Sequence, residues 1–244
     1  MKSIILCGGY AVRLQPLTLN KSKVLLGVKG RTILDYIIDR VEPLKEIDDI
    51  FVVSNNKFYN DFAKWKDSRT FEKNIKILND GTSSDNERLG GIGDLEFAIK
   101  NKRIKDDVLV VLGDNLFDFE LDGFVNFFEK KKSCVLGLYD VKSFEEAKRF
   151  GVINLKRDII SKFEEKPEKP KSSLVSTGLY IFSKDELTDL KDYIHSGGKI
   201  DGPGFFVKYL MRKKNVFGCN LSGRWFDIGT AETYKEVCEK WWAV

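Results

Sequence analysis

The chain has 244 residues, which is enough for one substantial core, either in one large domain or in two closely packed lobes. Hydrophobic residues make up 42% and charged residues 32%, a balance that excludes a disordered, collagen-like or membrane-spanning chain. The formal net charge is only +4, and basic residues are spread along the whole length with acidic residues among them, which argues against a nucleic-acid-binding arm.

In the first half of the chain, short apolar runs alternate with segments of helical periodicity. The runs predict strands at residues 3–6, 50–53, 75–78 and 108–112, and the periodic segments predict helices at 33–44, 58–65 and 94–100. Thr32 is suited to cap the first of these helices. Such alternation is typical of a parallel α/β sheet with right-handed crossovers.

From about Gly151 the pattern changes. Residues 152–155 and 159–163 predict a β-hairpin, and strands at 174–182 and 216–221 and helices at 205–212 and 231–240 follow. The predicted fold class is therefore α/β, with a mostly parallel central sheet flanked by helices and a small lobe of mixed strands. Because no internal repeat or long linker interrupts the chain, we expect a single domain over residues 1–244.

Cysteine and histidine usage restricts the chemistry. The four cysteines show no C-x-x-C spacing and three lie in apolar stretches, so buried free thiols are favoured over disulfides or zinc ligands. His195 is the only histidine, which excludes a multi-histidine metal site and disfavours a Ser-His-Asp triad. Any reaction must therefore rely on Asp, Glu, Lys, Arg and a metal ion.

The two ends of the chain support two smaller expectations. The apolar run before Gly8 is too short for the core of a signal peptide, so we expect a cytoplasmic protein without membrane association. Trp241 and Trp242 near the other end could fill the core or anchor an interface, and packing is favoured.

A glycine-rich segment follows the first predicted strand directly. Gly8 and Gly9 would let backbone N–H groups approach phosphate oxygens closely, and Arg13 and Lys23 add two cations able to hold a triphosphate. The third glycine of the dinucleotide-binding G-x-G-x-x-G pattern and the G-K-S/T of a P-loop are both missing. The segment suits a polyphosphate, although a plain tight turn would also explain the two glycines alone.

Three further charged residues lie at candidate positions. Asp114 comes just past the end of an apolar strand, where open α/β sheets place ligands and where a carboxylate is suited to Mg²⁺. For Asp114 and for Asp227, a role as a turn former or helix cap is the simple alternative. Lys166 lies in a charged run of the kind that ordinarily indicates a solvated surface.

The glycine-rich segment closely resembles the signature of the sugar-1-phosphate nucleotidyltransferases, the NDP-sugar pyrophosphorylases exemplified by glucose-1-phosphate thymidylyltransferases. Their pattern is approximately G-G-x-G-x-R-L-x-P-L-T, followed by P-K or S-K and two apolar residues. Ala11 stands where that family usually has Gly, and Gly27 where Pro is common. The resemblance covers essentially the whole chain, through motifs at residues 8–18, 22–26, 90–94, 112–115, 150–153, 163–167, 176–180 and 225–230.

The resemblance implies a Rossmann-like fold of the nucleotide-diphospho-sugar transferase type, in the short form without a β-helix tail. It implies a nucleotide-binding half at about residues 1–118 and a sugar-phosphate-binding half at about 119–244. The implied reaction transfers a nucleotidyl group from a nucleoside triphosphate, with dTTP or UTP favoured, to a sugar 1-phosphate, with glucose 1-phosphate favoured. The products are an NDP-sugar and pyrophosphate, and the implied cofactor is Mg²⁺.

The resemblance also implies roles for individual residues. The implied nucleotide-binding residues are Leu6, Gly8, Gly9, Arg13, Lys23, Gly90, Gly91 and Asp114. The implied sugar-phosphate-binding residues are Gly151, Glu165, Lys166, Thr177, Gly178 and Trp225. Asp114 and Asp227 are the implied metal ligands, and together with Arg13, Lys23 and Lys166 they form the implied catalytic set.

Two other functions compete with this one. An NAD(P)-dependent oxidoreductase would need an acidic residue after the second strand, but that strand ends in Ser54-Asn55-Asn56, and the glycine spacing is wrong. A non-catalytic or regulatory nucleotide-binding module of the same fold is disfavoured because the charged residues of the implied catalytic set are all present. A homo-oligomer is left open.

Overall fold

The computed structural model describes residues 1–241 of the chain. The strands, in chain order, are β1 (Lys2–Leu6), β2 (Gly27–Val28), β3 (Arg31–Thr32), β4 (Asp49–Ser54), β5 (Asn74–Asn79), β6 (Val108–Leu112), β7 (Asn115–Phe117), β8 (Val135–Asp140), β9 (Gly151–Lys156), β10 (Ile159–Glu165), β11 (Leu174–Phe182), β12 (Phe217–Asn220) and β13 (Trp225–Asp227). The helices are α1 (Ile33–Val41), α2 (Tyr59–Asp67), α3 (Gly90–Lys102), α4 (Asp122–Lys131), α5 (Phe144–Ala147), α6 (Glu186–His195), α7 (Pro203–Leu210) and α8 (Ala231–Lys240).

Nine of these strands form one continuous sheet in the order β5-β4-β1-β6-β11-β8-β12-β10-β9. The first four are mutually parallel, as the alternating apolar runs predict. Beyond β6 the pairing is mixed, since β11 runs antiparallel to β6 and to β8 whereas β12 runs parallel to β8. The α/β fold class is thus confirmed, with the mixed strands continuing the sheet rather than forming a second one.

Two hydrophobic cores lie on opposite faces of the sheet. Ile4 and Ile5 in β1 are both fully buried, yet they belong to different cores because successive strand residues point to opposite faces. One core contains the apolar faces of α1, α2 and α4, and the other contains those of α3, α6 and α7. Burial on both faces explains why the central strands are apolar throughout.

The carboxyl ends of β1 and β6 meet at one edge of the sheet. Leu6 is in register with Leu112, and the Gly113 N–H donates to the Leu6 carbonyl at 2.9 Å. A Cβ on Gly113 would come within 2.6 Å of Cys7 Sγ, so the two chain segments can approach this closely only with glycine at that position. The segments after β1 and β6 therefore leave the sheet side by side.

Two helices begin earlier than the sequence predicts. Helix α3 begins at Gly90 instead of residue 94, because the Gly91 and Ile92 N–H groups donate to the Asp201 and Ile200 carbonyls at 2.7 and 2.9 Å. The helix start is thus stabilised by a distant segment, which local periodicity does not report. Helix α7 begins at Pro203, a residue type favoured in the first helical turn.

Several short or irregular elements were not predicted from the sequence. Strands β7 and β13 form a two-stranded antiparallel ribbon outside the main sheet, with Asp227 opposite Asn115. Strand β8 and helix α6 were also not predicted, although both lie within the folded core. The ribbon matters for function because it connects the segment after β6 to the segment before α8.

The remaining predictions concern cysteines and the C-terminus. All four cysteines are free, and Cys7 and Cys134 are buried, which confirms the expectation of free thiols. Trp241 is buried and packs edge-to-face on Tyr36, whereas Trp242 lies outside the described residues. Over residues 1–241, no helix combines the length and the apolar character needed to cross a membrane.

Candidate active site

Two adjoining cavities open at the carboxyl edge of β1 and β6. The larger has a volume of about 610 Å³ and the smaller about 190 Å³. Four residues line both cavities, namely Arg13, Leu112, Asp114 and Lys166. Ligands in the two cavities would therefore lie next to each other, and both would contact the two cations and the carboxylate of the shared lining.

The larger cavity collects every residue predicted to bind the nucleotide. Its lining includes Leu6, Gly8, Gly9, Arg13, Lys23, Gly90, Gly91 and Asp114. These residues come from three separate parts of the chain: the end of β1 with the segment that follows it, the start of α3, and the segment after β6. The Gly91 N–H, however, already donates to Asp201, so this amide is engaged within the fold.

The smaller cavity collects most of the residues predicted to bind the sugar phosphate. Its lining includes Gly151, Glu165, Lys166, Gly178, Trp225 and Asp227. Thr177 is placed differently: it is fully buried, and its hydroxyl donates to the Gly137 carbonyl at 2.9 Å. The Thr177 carbonyl instead accepts a hydrogen bond from Trp225 Nε1 at 3.3 Å, so Thr177 supports the cavity wall.

An ion pair between Lys23 and Asp114 lies at the junction of the cavities. Lys23 Nζ is 2.7 Å from Asp114 Oδ2 and 3.5 Å from the Ile228 carbonyl oxygen. Burial would raise the pKa of Asp114, but Lys23 and a hydrogen bond from Asn115 lower it below its ordinary value. Asp114 is therefore ionised at neutral pH and holds Lys23 in place.

Asp227 reaches the same point from the other end of the chain. The β7–β13 ribbon places Asp227 opposite Asn115, and the Ile228 N–H donates to the Asp114 carbonyl at 2.8 Å. Burial, together with the negative charge of Asp114, raises the pKa of Asp227 to about 6. The carboxyl groups are therefore close enough to oppose each other's ionisation.

This carboxylate pair fits a divalent cation. Carboxylate oxygens are the ligands that Mg²⁺ prefers, and a cation between Asp114 and Asp227 would remove their mutual repulsion. Over residues 1–241, no group of three or more His, Cys, Asp or Glu side chains is arranged to hold a metal. A cation here would consequently have to complete its coordination with water and substrate oxygens.

Arg13 and Asp227 also converge, although they are far apart in sequence. A Cβ on Gly229 would lie 3.2 Å from Asp227 Oδ2 and 3.8 Å from Arg13 Nη2. The segment carrying Arg13 begins at Ala11, whose φ of 49° is in the left-handed region that favours glycine. The sugar-1-phosphate nucleotidyltransferases usually have glycine at this position, and Ala11 adopts the backbone conformation that suits glycine.

A hydrogen-bond chain fixes the wall between the cavities. Trp225 Nε1 donates to Asn115 Oδ1 at 2.8 Å, and Asn115 Nδ2 donates to Asp114 Oδ1 at 2.8 Å. Gly178, with a φ of 77°, leaves room for this contact, because a Cβ there would lie 2.7 Å from Asn115 Nδ2. Trp225 and Gly178 thus orient the Asp114 carboxylate as well as lining the smaller cavity.

Lys166 lies at the end of β10 with an unusual backbone. Its φ is 44°, in the left-handed region, and its N–H donates to the Phe150 carbonyl at 3.0 Å. A non-glycine residue in this region is strained, and such strain is concentrated at functional sites. The side chain is exposed at the wall shared by the two cavities.

Arg149 lines the smaller cavity and was not singled out from the sequence. Its positive charge acts on the Asp227 carboxyl and favours the ionised form. The available signal was its position directly before Phe150-Gly151, a motif that the sequence analysis recognised without including the preceding residue. The smaller cavity thus has cations from three segments, Arg13, Arg149 and Lys166.

A second carboxyl pair lies beneath the glycine-rich segment. Asp94, from α3, lines the larger cavity and is within hydrogen-bonding reach of Asp80, which follows β5. A Cβ on Gly8 would lie 2.5 Å from Asp94 Oδ2 and 3.0 Å from Asp80 Oδ2, so glycine is required above the pair. Burial and the charge of Asp80 raise the pKa of Asp94 to about 8.

Comparisons with known proteins identify the family of this chain. The family model described as "Nucleotidyl transferase" matches residues 2–242, and the chain belongs to that family. The "Bifunctional protein GlmU" of Methanocaldococcus jannaschii is 33% identical over 232 residues, which cover 94% of this chain and 51% of that protein. A Sulfolobus acidocaldarius protein named "Putative mannose-1-phosphate guanyltransferase" is 30% identical over 241 residues, covering 97% and 62% respectively. The resemblance to sugar-1-phosphate nucleotidyltransferases is therefore confirmed.

Solved structures confirm the fold. A Bacillus anthracis structure described as a "Putative Glucose-1-Phosphate Thymidylyltransferase" superimposes with a TM-score of 0.84 at 24% identity, covering 98% of this chain and 94% of that one. A UDP-glucose pyrophosphorylase gives a TM-score of 0.81 at 17% identity, covering 98% and 96% respectively. The chain spans between half and two thirds of the length of the two curated relatives, the Methanocaldococcus and Sulfolobus proteins.

The Asp80–Asp94 pair predicts an unusual pH dependence of stability. The pKa of Asp94 is about 8 in the folded protein and roughly 4 in the unfolded chain. Between about pH 4 and about pH 8, therefore, the folded protein keeps the Asp94 proton and the unfolded chain has lost it. Stability should fall as the pH rises through this window. We expect Asp94→Asn to raise the melting temperature, with a gain that grows from about pH 5 to about pH 8.

The matched control is Asp106→Asn, which removes the same charge from an exposed position. Its effect on the melting temperature should be small at every pH. A gain for Asp94→Asn that does not change with pH, or a loss of stability, would contradict the assignment of a retained proton.

Proposed function

We propose that this protein transfers a nucleotidyl group from a nucleoside triphosphate to a sugar 1-phosphate, forming an NDP-sugar and releasing pyrophosphate. The observation that carries the proposal is the pair of adjoining cavities with a common wall of Arg13, Asp114 and Lys166. Two separate anionic substrates require two compartments that meet where charge can be neutralised. A hydrolase or a simple nucleotide-binding protein would not need the second compartment.

The reaction would be an in-line attack by a phosphate oxygen of the sugar 1-phosphate on the α-phosphorus of the triphosphate. Because the attacking oxygen is already an anion, the reaction requires no general base, and the protein must mainly bring two polyanions together. Arg13 and Lys23 would hold the triphosphate and then the leaving pyrophosphate. Lys166 would hold the attacking phosphate, with Arg149 as a second cation beside it.

Asp114 and Asp227 would hold Mg²⁺, which supplies charge neutralisation between the phosphates of the two substrates when it is bound. Lys23 contacts Asp114 directly and lines the larger cavity, so its ammonium group would lie beside both the metal ligand and the triphosphate. The remaining wall residues, Asn115 and Trp225, would keep the Asp114 carboxylate oriented.

The two halves of the chain would divide the work. Residues 1–118 would contribute the whole nucleotide-binding set, and residues 119–244 would contribute the whole sugar-phosphate-binding set. Motif resemblance favours dTTP or UTP and glucose 1-phosphate as the substrate pair. A cytoplasmic location and the absence of membrane and nucleic-acid partners stay predictions from composition, and a homo-oligomer stays open.

The test of the proposed function is an assay of pyrophosphate release in the presence of Mg²⁺. Five triphosphates are combined with several sugar 1-phosphates, and release should require both substrates and should stop on chelation of the metal. Equal release without the sugar phosphate would indicate a hydrolase. Triphosphate binding without any release would favour the non-catalytic module.

Asp227→Asn tests the metal site. The substitution preserves size but removes a charge, so we expect folding to survive and turnover to fall by ~10² or more, the scale of one lost electrostatic contact in the transition state. The melting temperature is measured beside turnover over a Mg²⁺ titration. Near-normal turnover at limiting Mg²⁺ would remove Asp227 from the metal site, and Asp106→Asn serves as the charge control.

Lys23→Ala and Lys166→Ala test the division between the cavities. Lys23→Ala should weaken triphosphate binding, and Lys166→Ala should weaken sugar-phosphate binding, because each removes the cation assigned to that substrate. Calorimetric titration of each variant with each substrate measures both effects, with Lys169→Ala as an exposed control. If Lys166→Ala abolished nucleotide binding and left sugar-phosphate binding unchanged, the assignment would be wrong.

A further inference from the structure

The carboxyl pair of Asp80 and Asp94 lies directly against the glycine-rich segment. The two side chains hydrogen-bond to each other, and a Cβ on Gly8 would lie 2.5 Å from Asp94 Oδ2 and 3.0 Å from Asp80 Oδ2. Gly8 itself lines the larger cavity. The pair therefore supports a residue of the cavity wall, although the proposed reaction assigns it no role.

The glycine-rich segment leaves backbone donors free for a ligand. Over the described residues, the N–H groups of Gly8 and Gly9 have no hydrogen-bond acceptor within the protein, whereas the Cys7 N–H before them donates to the Val53 carbonyl at 2.8 Å. Both glycines line the larger cavity, where such donors can hold phosphate oxygens. The position of Gly8 consequently determines how well a triphosphate is held.

A hydrogen-bond network connects the pair to the same segment at a second point. Tyr10 Oη lies 3.1 Å from Thr82 Oγ1. The Thr82 hydroxyl in turn donates to Asp80 Oδ1 at 2.8 Å, and the Thr82 N–H donates to the same oxygen at 2.7 Å. Because Gly8 and Tyr10 flank Gly9, the pair holds the segment on both sides of this exposed glycine.

The hydrogen bond within the pair requires a proton. Two ionised carboxylates have only acceptors, so one of the two groups must be protonated for them to bond. Burial and the charge of Asp80 raise the pKa of Asp94 to about 8, so the proton is present at neutral pH. With the proton the pair carries one negative charge, and without it two carboxylates repel each other beneath Gly8.

The groups around the pair do not compensate a second negative charge. Cys7 and Tyr10 of the glycine-rich segment are neutral, because burial raises the pKa of each, and the segment after β5 adds the carboxyl groups of Asp85 and Glu87 near Tyr10. The other charged residues of the cavity lining are Arg13, Lys23, Arg88, Asp114, Lys166 and Asp201. Within residues 1–241, no cation acts on either carboxyl group, whose ionisation responds to burial, to Thr82 and to the partner carboxyl.

We infer that Asp94 and Asp80 are positioning residues for the triphosphate, because their shared proton keeps Gly8 in place and withholds a second negative charge from the phosphate-binding segment. The inference rests on the proposed function only in placing the triphosphate against that segment. Loss of the proton would push the two carboxyl groups apart, displace Gly8 and repel the phosphates. Triphosphate affinity should therefore fall as the pH rises through about 8.

Two conservative variants test this inference. Asp94→Asn and Asp80→Asn each keep a hydrogen bond between the side chains, but each fixes the pair at one negative charge. Binding of inorganic triphosphate with Mg²⁺ is measured by calorimetry at about pH 6.5 and about pH 9, on either side of the transition. The ratio of the wild-type Kd to the Kd of either variant should be about 1 at the lower pH and roughly 10 or more at the higher pH, the scale of one added charge near a phosphate. Comparison at equal pH cancels the ionisation of the probe and of other side chains.

A matched control and a second measurement separate positioning from a merely structural role. Asp201→Asn removes a carboxylate of the same cavity lining that shares no proton, so it should change the affinity by the same factor at both pH values. In the wild-type protein, triphosphate binding should take up protons near pH 8, because ligand and proton favour each other's binding. This uptake is measured from binding enthalpies in buffers of different ionisation enthalpy, and it should be smaller in Asp94→Asn and Asp80→Asn.

The outcomes separate the inference from the proposed reaction. A Kd ratio that is equal at both pH values, an equal proton uptake in wild-type protein and variants, or no binding of triphosphate at either pH would overturn the inference. If pyrophosphate release still requires both substrates, the proposed reaction stands and the pair is only structural. If the expected pH dependence is found but no sugar phosphate supports pyrophosphate release, the inference is supported and the proposed reaction fails.

Discussion

The candidate site depends on one ion pair, the contact between Lys23 and Asp114. It joins the segment after β1 to the segment after β6, and the same ammonium group reaches the carbonyl of Ile228 beyond β13. Lys23 therefore connects three segments that are distant in the sequence. Without this cation, Asp114 would lose its direct counter-charge while still lying beside the Asp227 carboxyl, which is an unfavourable arrangement.

The surrounding fold holds this pair in position. Asp114 is oriented by Asn115, and Asn115 by Trp225, so an aromatic ring in the smaller cavity fixes a carboxylate that also lines the larger one. Glycines at the closest approaches, Gly113 and Gly178, leave the space that these contacts require. The chemistry of one cavity is consequently coupled to packing in the other.

The sequence predicted the strands, helices and loop motifs that depend only on neighbouring residues. Strand β6 and helix α8 have the predicted boundaries, because an uninterrupted apolar run and a regular helical period determine them. The glycine-rich segment and its cations were recognisable because their spacing reflects contacts within one loop. Asp227 was identified through a motif resemblance, and only the β7–β13 ribbon explains how it reaches Asp114.

The features that the sequence did not reveal arise from tertiary contacts. The start of α3 depends on carbonyl groups at residues 200–201, and the role of Thr177 depends on its hydrogen bond to Gly137. Asp80 and Asp94 are separated along the chain by a loop and a helical turn, so nothing in their spacing indicates a shared proton. Their proximity follows from the packing of α3 beneath Gly8.

The most direct test of the central ion pair is a double-mutant cycle on unfolding stability. Lys23→Met, Asp114→Asn and the double variant are compared with the wild-type protein by chemical denaturation at neutral pH. A pair that organises the site in the free protein should give a favourable coupling free energy of about 1 to 3 kcal/mol, within the range for residues in direct contact. A coupling of zero would show that Lys23 and Asp114 act independently, and would contradict a site organised by their ion pair.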